Sequence, residues 1–306
     1  MTSNILTTSY SSAFSKVIKR LLSNTEDREY AIQRLLTRFP LNRKAYSTMQ
    51  NLWQQLDNSA AKKNLKIRDK SIFDHVNTIT YAEKIRQESV AFGLNLPSSI
   101  VEEVYEYACK APCYGTGRVR DEGEFAITEV KDGYLRDKYP VALAEFNNST
   151  LMGCEAIEKL VQDPLLLQIA RDYLNYWPTK IERYMSWTLA SKLSEQEQKR
   201  LNEPIVYHYD LVPGYNSVRI YFYITDIDAS SGPHVMIKGS HEKKPIAWML
   251  APCQQPDSEV YKYYGQENEI VIEGKKGLGF FQDPYCFHKA TTPVTGNRLL
   301  LQIRYY

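Results

Sequence analysis

Apolar positions in the first hundred residues recur at the spacing of amphipathic helices. Phe14, Val17, Ile18, Leu21 and Leu22 share one face, with Lys16, Lys19 and Arg20 on the other. A second helix is predicted over about 26–38, ending near Pro40. A third carries Tyr46, Met49, Leu52, Trp53 and Leu56 on one face. Ser99 and Glu102 are spaced for a capping box, followed by the stripe Val101, Val104, Tyr105 and Ala108. Asp163-Pro164 reads as an N-cap with proline at the first helical position, and Leu166, Ile169, Ala170, Tyr173 and Leu174 continue that helix.

Near residue 180 the period falls from 3.6 to 2. KIERYMSWTLA, PIVYHYDLV, SVRIYFYITDI, NEIVIEG, GLGFFQD and NRLLLQIRYY are short runs rich in β-branched and aromatic residues, punctuated by Gly, Pro, Asn or Asp. No amphipathic helices alternate with them. A doubly wound parallel sheet is therefore disfavoured, and an antiparallel sandwich or jelly roll is expected. The polar stretch from about 250 to 268 is a candidate lid.

The chain has 306 residues, 43% of them hydrophobic and 24% charged, which suits a globular protein with a substantial core. No window approaches an uninterrupted apolar membrane span, and MTSNILTTSYSS lacks the pattern of a secretory signal. Five cysteines (Cys109, Cys113, Cys154, Cys253, Cys286) at irregular spacing argue against a disulfide framework and suggest a cytoplasmic protein with free thiols. Net charge is only +2, but residues 1–70 carry +8 and the remainder −6. Such a basic surface suits an acidic partner, though a solvated face is the commoner case. Without zinc-finger or RNA-binding motifs, nucleic acid is not expected. The 23 tyrosines exceed ordinary usage, and tyrosine suits both strands and pocket walls.

Four of the five histidines (His208, His234, His241 and His288) lie in the β-rich half, and His75 in the helical part. In an extended strand His208 and Asp210 point to one face and can reach one ion. His288 follows the apolar run GLGFF. Two histidines and a carboxylate form the facial triad that leaves positions open on ferrous iron. Arg298 lies ten residues after His288 and can grip a carboxylate with two parallel hydrogen bonds. Arg304 competes for that role on the same strand face, about 20 Å further along at strand rise. His-x-Asp alone is weak evidence, because a turn histidine beside a surface aspartate reads the same way.

The order and spacing of His208-Tyr209-Asp210, VRIYFYITDID, SSGPHVMIKGSHE and GLGFFQDPYCFHKATTPVTGNRLLLQIRY, preceded by DPLLLQIARDYLNYWP, resemble the phytanoyl-CoA dioxygenase-like group of iron(II)/2-oxoglutarate oxygenases over roughly residues 97–306. The resemblance implies a double-stranded β-helix (a cupin-like jelly roll) buttressed by helices, with residues 1–96 as a helical region serving as lid, interface or support. It implies that His208, Asp210 and His288 bind Fe(II), and that Arg298 holds the C5 carboxylate of 2-oxoglutarate. Tyr221 and Tyr223 would line the co-substrate pocket. Ala290 stands where many members have Ser or Thr, so Thr291 or a tyrosine hydroxyl is the expected substitute. His234 stands where members usually have an apolar residue, and is either substrate-facing or a satisfied strand histidine.

The implied chemistry consumes O2 and 2-oxoglutarate, releases succinate and CO2, and hydroxylates an unactivated C–H of a small or mid-sized metabolite, free or carrier-bound. Desaturation, cyclisation and epimerisation use the same ligands, whereas Asp210 argues against halogenation. Tyr184, Trp187, Tyr207, Trp248, Tyr261 and Tyr263 are substrate-contact candidates, although tyrosines of this kind are as often sheet packing. Many phenols and few charges suggest a partly apolar substrate. A non-catalytic jelly-roll binding protein and a cupin-type metal enzyme without 2-oxoglutarate are the competing readings. Oligomeric state is not legible.

Overall fold

The computed structural model describes residues 25–57, 65–191, 193, 197, 201, 205–211, 214–250 and 252–306. The helix expected around Phe14–Leu22 lies outside the described residues. Helices α1 (Thr25–Leu36), α2 (Pro40–Leu56) and α3 (Thr78–Glu88) come first. Strand β1 (Val90–Asn95) follows, and then α4 (Ser98–Lys110). Short strands β2 (Tyr114–Gly115), β3 (Val130–Lys131), β4 (Tyr134–Leu135), β5 (Tyr139–Pro140) and β6 (Leu143–Glu145) precede helices α5 (Asn148–Leu151), α6 (Glu155–Val161) and α7 (Pro164–Leu174). The second half holds β7 (Ile181–Thr188), β8 (Val218–Tyr223), β9 (His234–Ile237), α8 (Ile246–Met249), α9 (Asp257–Tyr264), β10 (Glu269–Ile272), β11 (Leu278–Gln282), β12 (His288–Ala290) and β13 (Arg298–Tyr305).

Seven strands form a main sheet in the order β1-β11-β8-β13-β7-β6-β2, and β10-β9-β12 form a minor one. Their pairings are antiparallel, as the expected jelly roll requires. Alternation divides the main sheet into two chemically different faces. Met185, Trp187, Ile220, Phe222, Phe281, Leu301 and Ile303 join one cluster with Ile85 of α3 and with Leu166, Ile169 and Ala170 of α7. Their strand neighbours Tyr221, Tyr223, Phe280 and Leu300 join another, with Met236 and Ile272 of the minor sheet. The helices therefore back the main sheet, and the site lies between the two sheets.

The cap of α7 is as expected. Asp163 accepts from Leu165 N at 2.9 Å and Leu166 N at 3.2 Å, and also from Ile72 N at 2.8 Å. A cap of this kind stabilises by about 1 kcal/mol. The capping box of α4 does not form, because the helix starts at Ser98 with Pro97 at the cap and Ser99 already inside it.

Other expectations need correction. The first hundred residues are not all helical: β1 pairs with β11 at the edge of the main sheet. A boundary at 96/97 therefore cuts the sheet. Six residues interrupted by Gly93 at φ +115° are too few to show a period of 2. PIVYHYDLV is not a regular strand; among the described residues it contributes bridges at His208. The proposed lid holds α9, anchored by buried Val260. On α2, Met49, Leu52, Trp53 and Leu56 are exposed, while Arg43 and Ser47 of the same helix are buried. Arg43 lies 4.2 Å from the Tyr285 ring and donates to Thr37 O and His241 O, so a polar face docks this helix. All five cysteines are free. No helix among the described residues is long and apolar enough to cross a membrane.

Candidate metal centre and its cavity

The two histidines are brought together by their own backbones. His208 N donates to His288 O at 2.9 Å, and His288 N donates to His208 O at 2.8 Å. A directly opposed antiparallel pair projects its side chains to one side, and the ring centroids lie 4.5 Å apart. Two residues on, Asp210 N donates to Pro284 O, which holds the aspartate against the same loop.

Ligand atoms of His208, Asp210 and His288 all lie within 4.8 Å of one another. Nδ1 of His208 lies 2.8 Å from Val206 O, and Nδ1 of His288 lies 2.9 Å from Cys286 O. A carbonyl can only accept, so each Nδ1 carries a proton, and Nε2 is the nitrogen that faces the other ligands. Burial pushes the His288 pKa down to about 4, with His208 adding to the fall and Asp210 opposing it. That ring is neutral at ordinary pH. Burial raises the Asp210 carboxyl, but Arg219, His288 and His208 outweigh it and hold the group well below the usual carboxylate range. Two imidazoles and one carboxylate can hold a divalent ion of the Fe(II) type on one face.

These ligands line a cavity of about 140 Å3 with Arg219, Tyr221, His234, Arg298 and Arg304. Arg298 is buried. It donates to Gly232 O and, at 3.0 Å, to Thr188 Oγ1, and its Nε has no partner among the described residues. Gly232 takes φ +80°, and a Cβ there would meet Thr291 O at 2.7 Å, so the turn that aims this carbonyl at Arg298 requires glycine.

Tyr221 lines the cavity. Tyr223 does not: its hydroxyl donates to Ile272 O and accepts from His234 N. Thr291 spends its hydroxyl on Pro233 O, and Thr188, in register with Arg298, is the threonine that touches the arginine. Of the substrate candidates, Tyr184 and His234 line the cavity. Trp187 is displaced by strand parity: three residues from Tyr184, it faces the helices and packs on Tyr105. Tyr207 and Tyr261 both donate to Glu269 Oε2. Trp248 and Tyr263 belong to an aromatic cluster with Tyr264 and Phe287. His241 ties its loop to the end of α3, between Ser89 Oγ at 2.7 Å and Arg86 O at 3.0 Å. His75 is exposed.

Arg219 and Gln302 are cavity residues that the sequence reading overlooked. The signal was present: Arg219 is two residues from Tyr221, and Gln302 lies between Leu300 and Arg304 on the same strand parity. The cavity is accordingly more cationic than the phenol count suggested.

The family model described as Phytanoyl-CoA dioxygenase (PhyH) matches residues 159–298, a span that contains His208, Asp210, His288 and Arg298. Over that span the chain resembles the family. It is an Fe(II)/2-oxoglutarate-dependent oxygenase that uses iron, 2-oxoglutarate and O2. Among solved structures, EvdO2 from Micromonospora carbonacea var. aurantiaca complexed with 2-oxoglutarate is similar at 13% identity and TM-score 0.50, over 77% of this chain and 92% of that one. It shares the fold. The epimerase SnoN from nogalamycin biosynthesis aligns at 14% identity and TM-score 0.49, over 74% of this chain and 82% of that one. EctD from S. alaskensis, with 2-oxoglutarate and 5-hydroxyectoine, aligns at 13% identity and TM-score 0.48, over 79% of each chain. No curated protein sequence matches the chain.

Proposed function

We propose that His208, Asp210 and His288 hold Fe(II), that Arg298 holds the C5 carboxylate of 2-oxoglutarate, and that the enzyme hydroxylates an unactivated C–H of a small metabolite. The observation that carries this reading is Arg298. It is a buried guanidinium with an unpartnered Nε and, among the described residues, no carboxylate in contact. An isolated buried cation is costly, and burial does lower its pKa. A carboxylate delivered by a co-substrate answers that cost, and the guanidinium fork suits two parallel bonds to it. A cupin-type enzyme without 2-oxoglutarate leaves this arginine unexplained.

Bound here with 2-oxoglutarate and O2, ferrous iron supplies the oxidant, and succinate and CO2 leave as co-products. The protein supplies geometry and exclusion of water. The Val206 and Cys286 carbonyls fix the imidazole tautomers, and Arg219 orients the Asp210 carboxylate. Phe280 stacks on the cavity residue Tyr221 with ring centroids 5.0 Å apart. Iron and 2-oxoglutarate added under argon should give a visible charge-transfer band, and oxygen should then yield succinate. A band that forms equally well with Arg298→Gln would remove the assignment of the co-substrate site.

A further inference from the structure

We propose that Arg304 binds an oxyanion, a carboxylate or a phosphate, carried by the substrate, so that the enzyme acts on small acids. The inference rests on the reading above, because it assigns Arg298 to the co-substrate and asks what the other free arginine of the cavity is for.

Arg298 and Arg304 lie on one face of β13, six residues and therefore about 20 Å apart at strand rise. Both line the cavity of the metal ligands. Arg304 is in register with Arg219, whose guanidinium bonds Asp210. Arg298 instead meets Gly232 O and Thr188. The two guanidinia, neither with a carboxylate partner among the described residues, thus belong to opposite poles of the cavity.

No carboxylate among the described residues pairs with Arg304. Glu182, its cross-strand neighbour, is held by Lys180 Nζ at 2.5 Å and the Tyr306 hydroxyl at 2.9 Å. Glu145 accepts from the Tyr184 hydroxyl. Asp210 is taken by Arg219. Its charge reaches Glu182 and Asp210 without contact, and its direct contacts orient it. Its Nε donates to Gln302 Oε1 at 3.1 Å, and its guanidinium lies 4.2 Å from the centroid of the Tyr184 ring. Nη1 and Nη2 carry no hydrogen bond among the described residues and form a fixed, planar, cationic fork.

The co-substrate cannot serve both poles. One carboxylate of 2-oxoglutarate goes to the metal and the other to Arg298, which leaves none for Arg304. The second anion must therefore arrive with the substrate. The Tyr184 ring beneath the fork offers an apolar wall to the carbon skeleton next to the acid group. This replaces the partly apolar, phenol-lined site that composition suggested.

The test uses wild type and Arg304→Gln, loaded with Fe(II) and 2-oxoglutarate under argon. Calorimetry follows a panel of small carboxylic acids, each paired with its amide, and of phosphate monoesters, each paired with its parent alcohol. At least one acid should bind wild type about tenfold more tightly than its neutral mate, a gap of ~1.4 kcal/mol. Arg304→Gln should erase that preference while 2-oxoglutarate affinity stays within about twofold of wild type, which also shows that the variant folds. The class that passes, carboxylate or phosphate, names the group. The proposal is overturned if no anion outbinds its neutral partner, or if Arg304→Gln keeps the preference. Failure of wild type to bind 2-oxoglutarate would sink the Arg298 assignment instead, and the acid-against-neutral comparison still reads Arg304.

Discussion

Arg219 Nη1 donates to Asp210 Oδ2, the same carboxylate oxygen that lies 3.7 Å from His288 Nε2. The other oxygen, Oδ1, lies 3.7 Å from His208 Nε2. One aspartate therefore faces both imidazoles and neutralises a buried arginine. Arg219 is only 5% exposed, its Nε has no partner among the described residues, and its further contact is a 3.5 Å approach to the Tyr221 hydroxyl. Removing the carboxylate strands that cation. Asp210→Asn should abolish turnover and cost the metal-free protein about 3–5 kcal/mol, the range for breaking one side of a buried pair. Adding Arg219→Met should recover most of the stability and none of the activity. Urea denaturation of the two single variants and the double variant measures this. An Asp210→Asn protein as stable as wild type would mean that the pair is not structural.

Arg298→Gln keeps a donor near Gly232 O and Thr188 but removes the charge. We expect the KM for 2-oxoglutarate to rise at least about tenfold, the loss of one charge-assisted bidentate contact. Iron affinity, set by other residues, should not change. Steady-state kinetics with succinate detection and a separate metal titration distinguish the two effects. An unchanged KM contradicts the assignment.

His234 sits in the wall with its ring 5.3 Å from both His288 and Tyr221. Burial, followed by the neighbouring His288 and Arg298, pushes its pKa well below the ordinary value against an opposing contact from Gln282, and its Nε2 has no hydrogen-bond partner among the described residues. A buried nitrogen of this kind costs about 1–3 kcal/mol. His234→Leu should therefore hold or raise the melting temperature while lowering the yield of oxidised product per succinate. A fall in melting temperature would show that Nε2 is satisfied in solution.

The convergence of His208, Asp210 and His288, and the place of Arg298 in their cavity, were legible from spacing: two residues between His208 and Asp210, which locally extended backbone turns to one side, and ten from His288 to the start of β13. The main strands were legible because period 2 is strong over six to eight residues. What escaped had weak local signal. Strands β9 and β12 are four and three residues long, and β1 is broken by a glycine bulge. Trp187 was misplaced although the rule that corrects it is parity, because its strand neighbour Tyr184 was proposed for the same pocket. The tyrosine-rich entrance failed for a different reason. Composition gives no partners, and the hydroxyls of Tyr207 and Tyr261 are taken up by Glu269, a residue more than sixty positions from the first of them.

Lys244 gives a pH prediction far from the metal ligands in chemistry. It is 8% exposed, donates to Ser240 O at 2.8 Å and His241 O at 3.2 Å, and lies 4.9 Å from the Tyr209 ring. Burial pushes its pKa down to about 7, the Arg43 charge adds to the fall, and Asp283, Cys286 and Glu242 resist it. The unfolded chain holds the proton up to the ordinary lysine value of 10.5. Between those limits the unfolded state binds more protons than the native state, so stability from this group grows as pH rises and is lost as pH falls toward 7. Below about 7 both states are protonated and the dependence vanishes. The slope within the window is at most ~1.4 kcal/mol per pH unit. Chemical denaturation of wild type at pH 7, 8 and 9 should show rising stability, and Lys244→Met should show a flatter profile. Parallel profiles for the two proteins would mean that Lys244 stays protonated in the fold across this range.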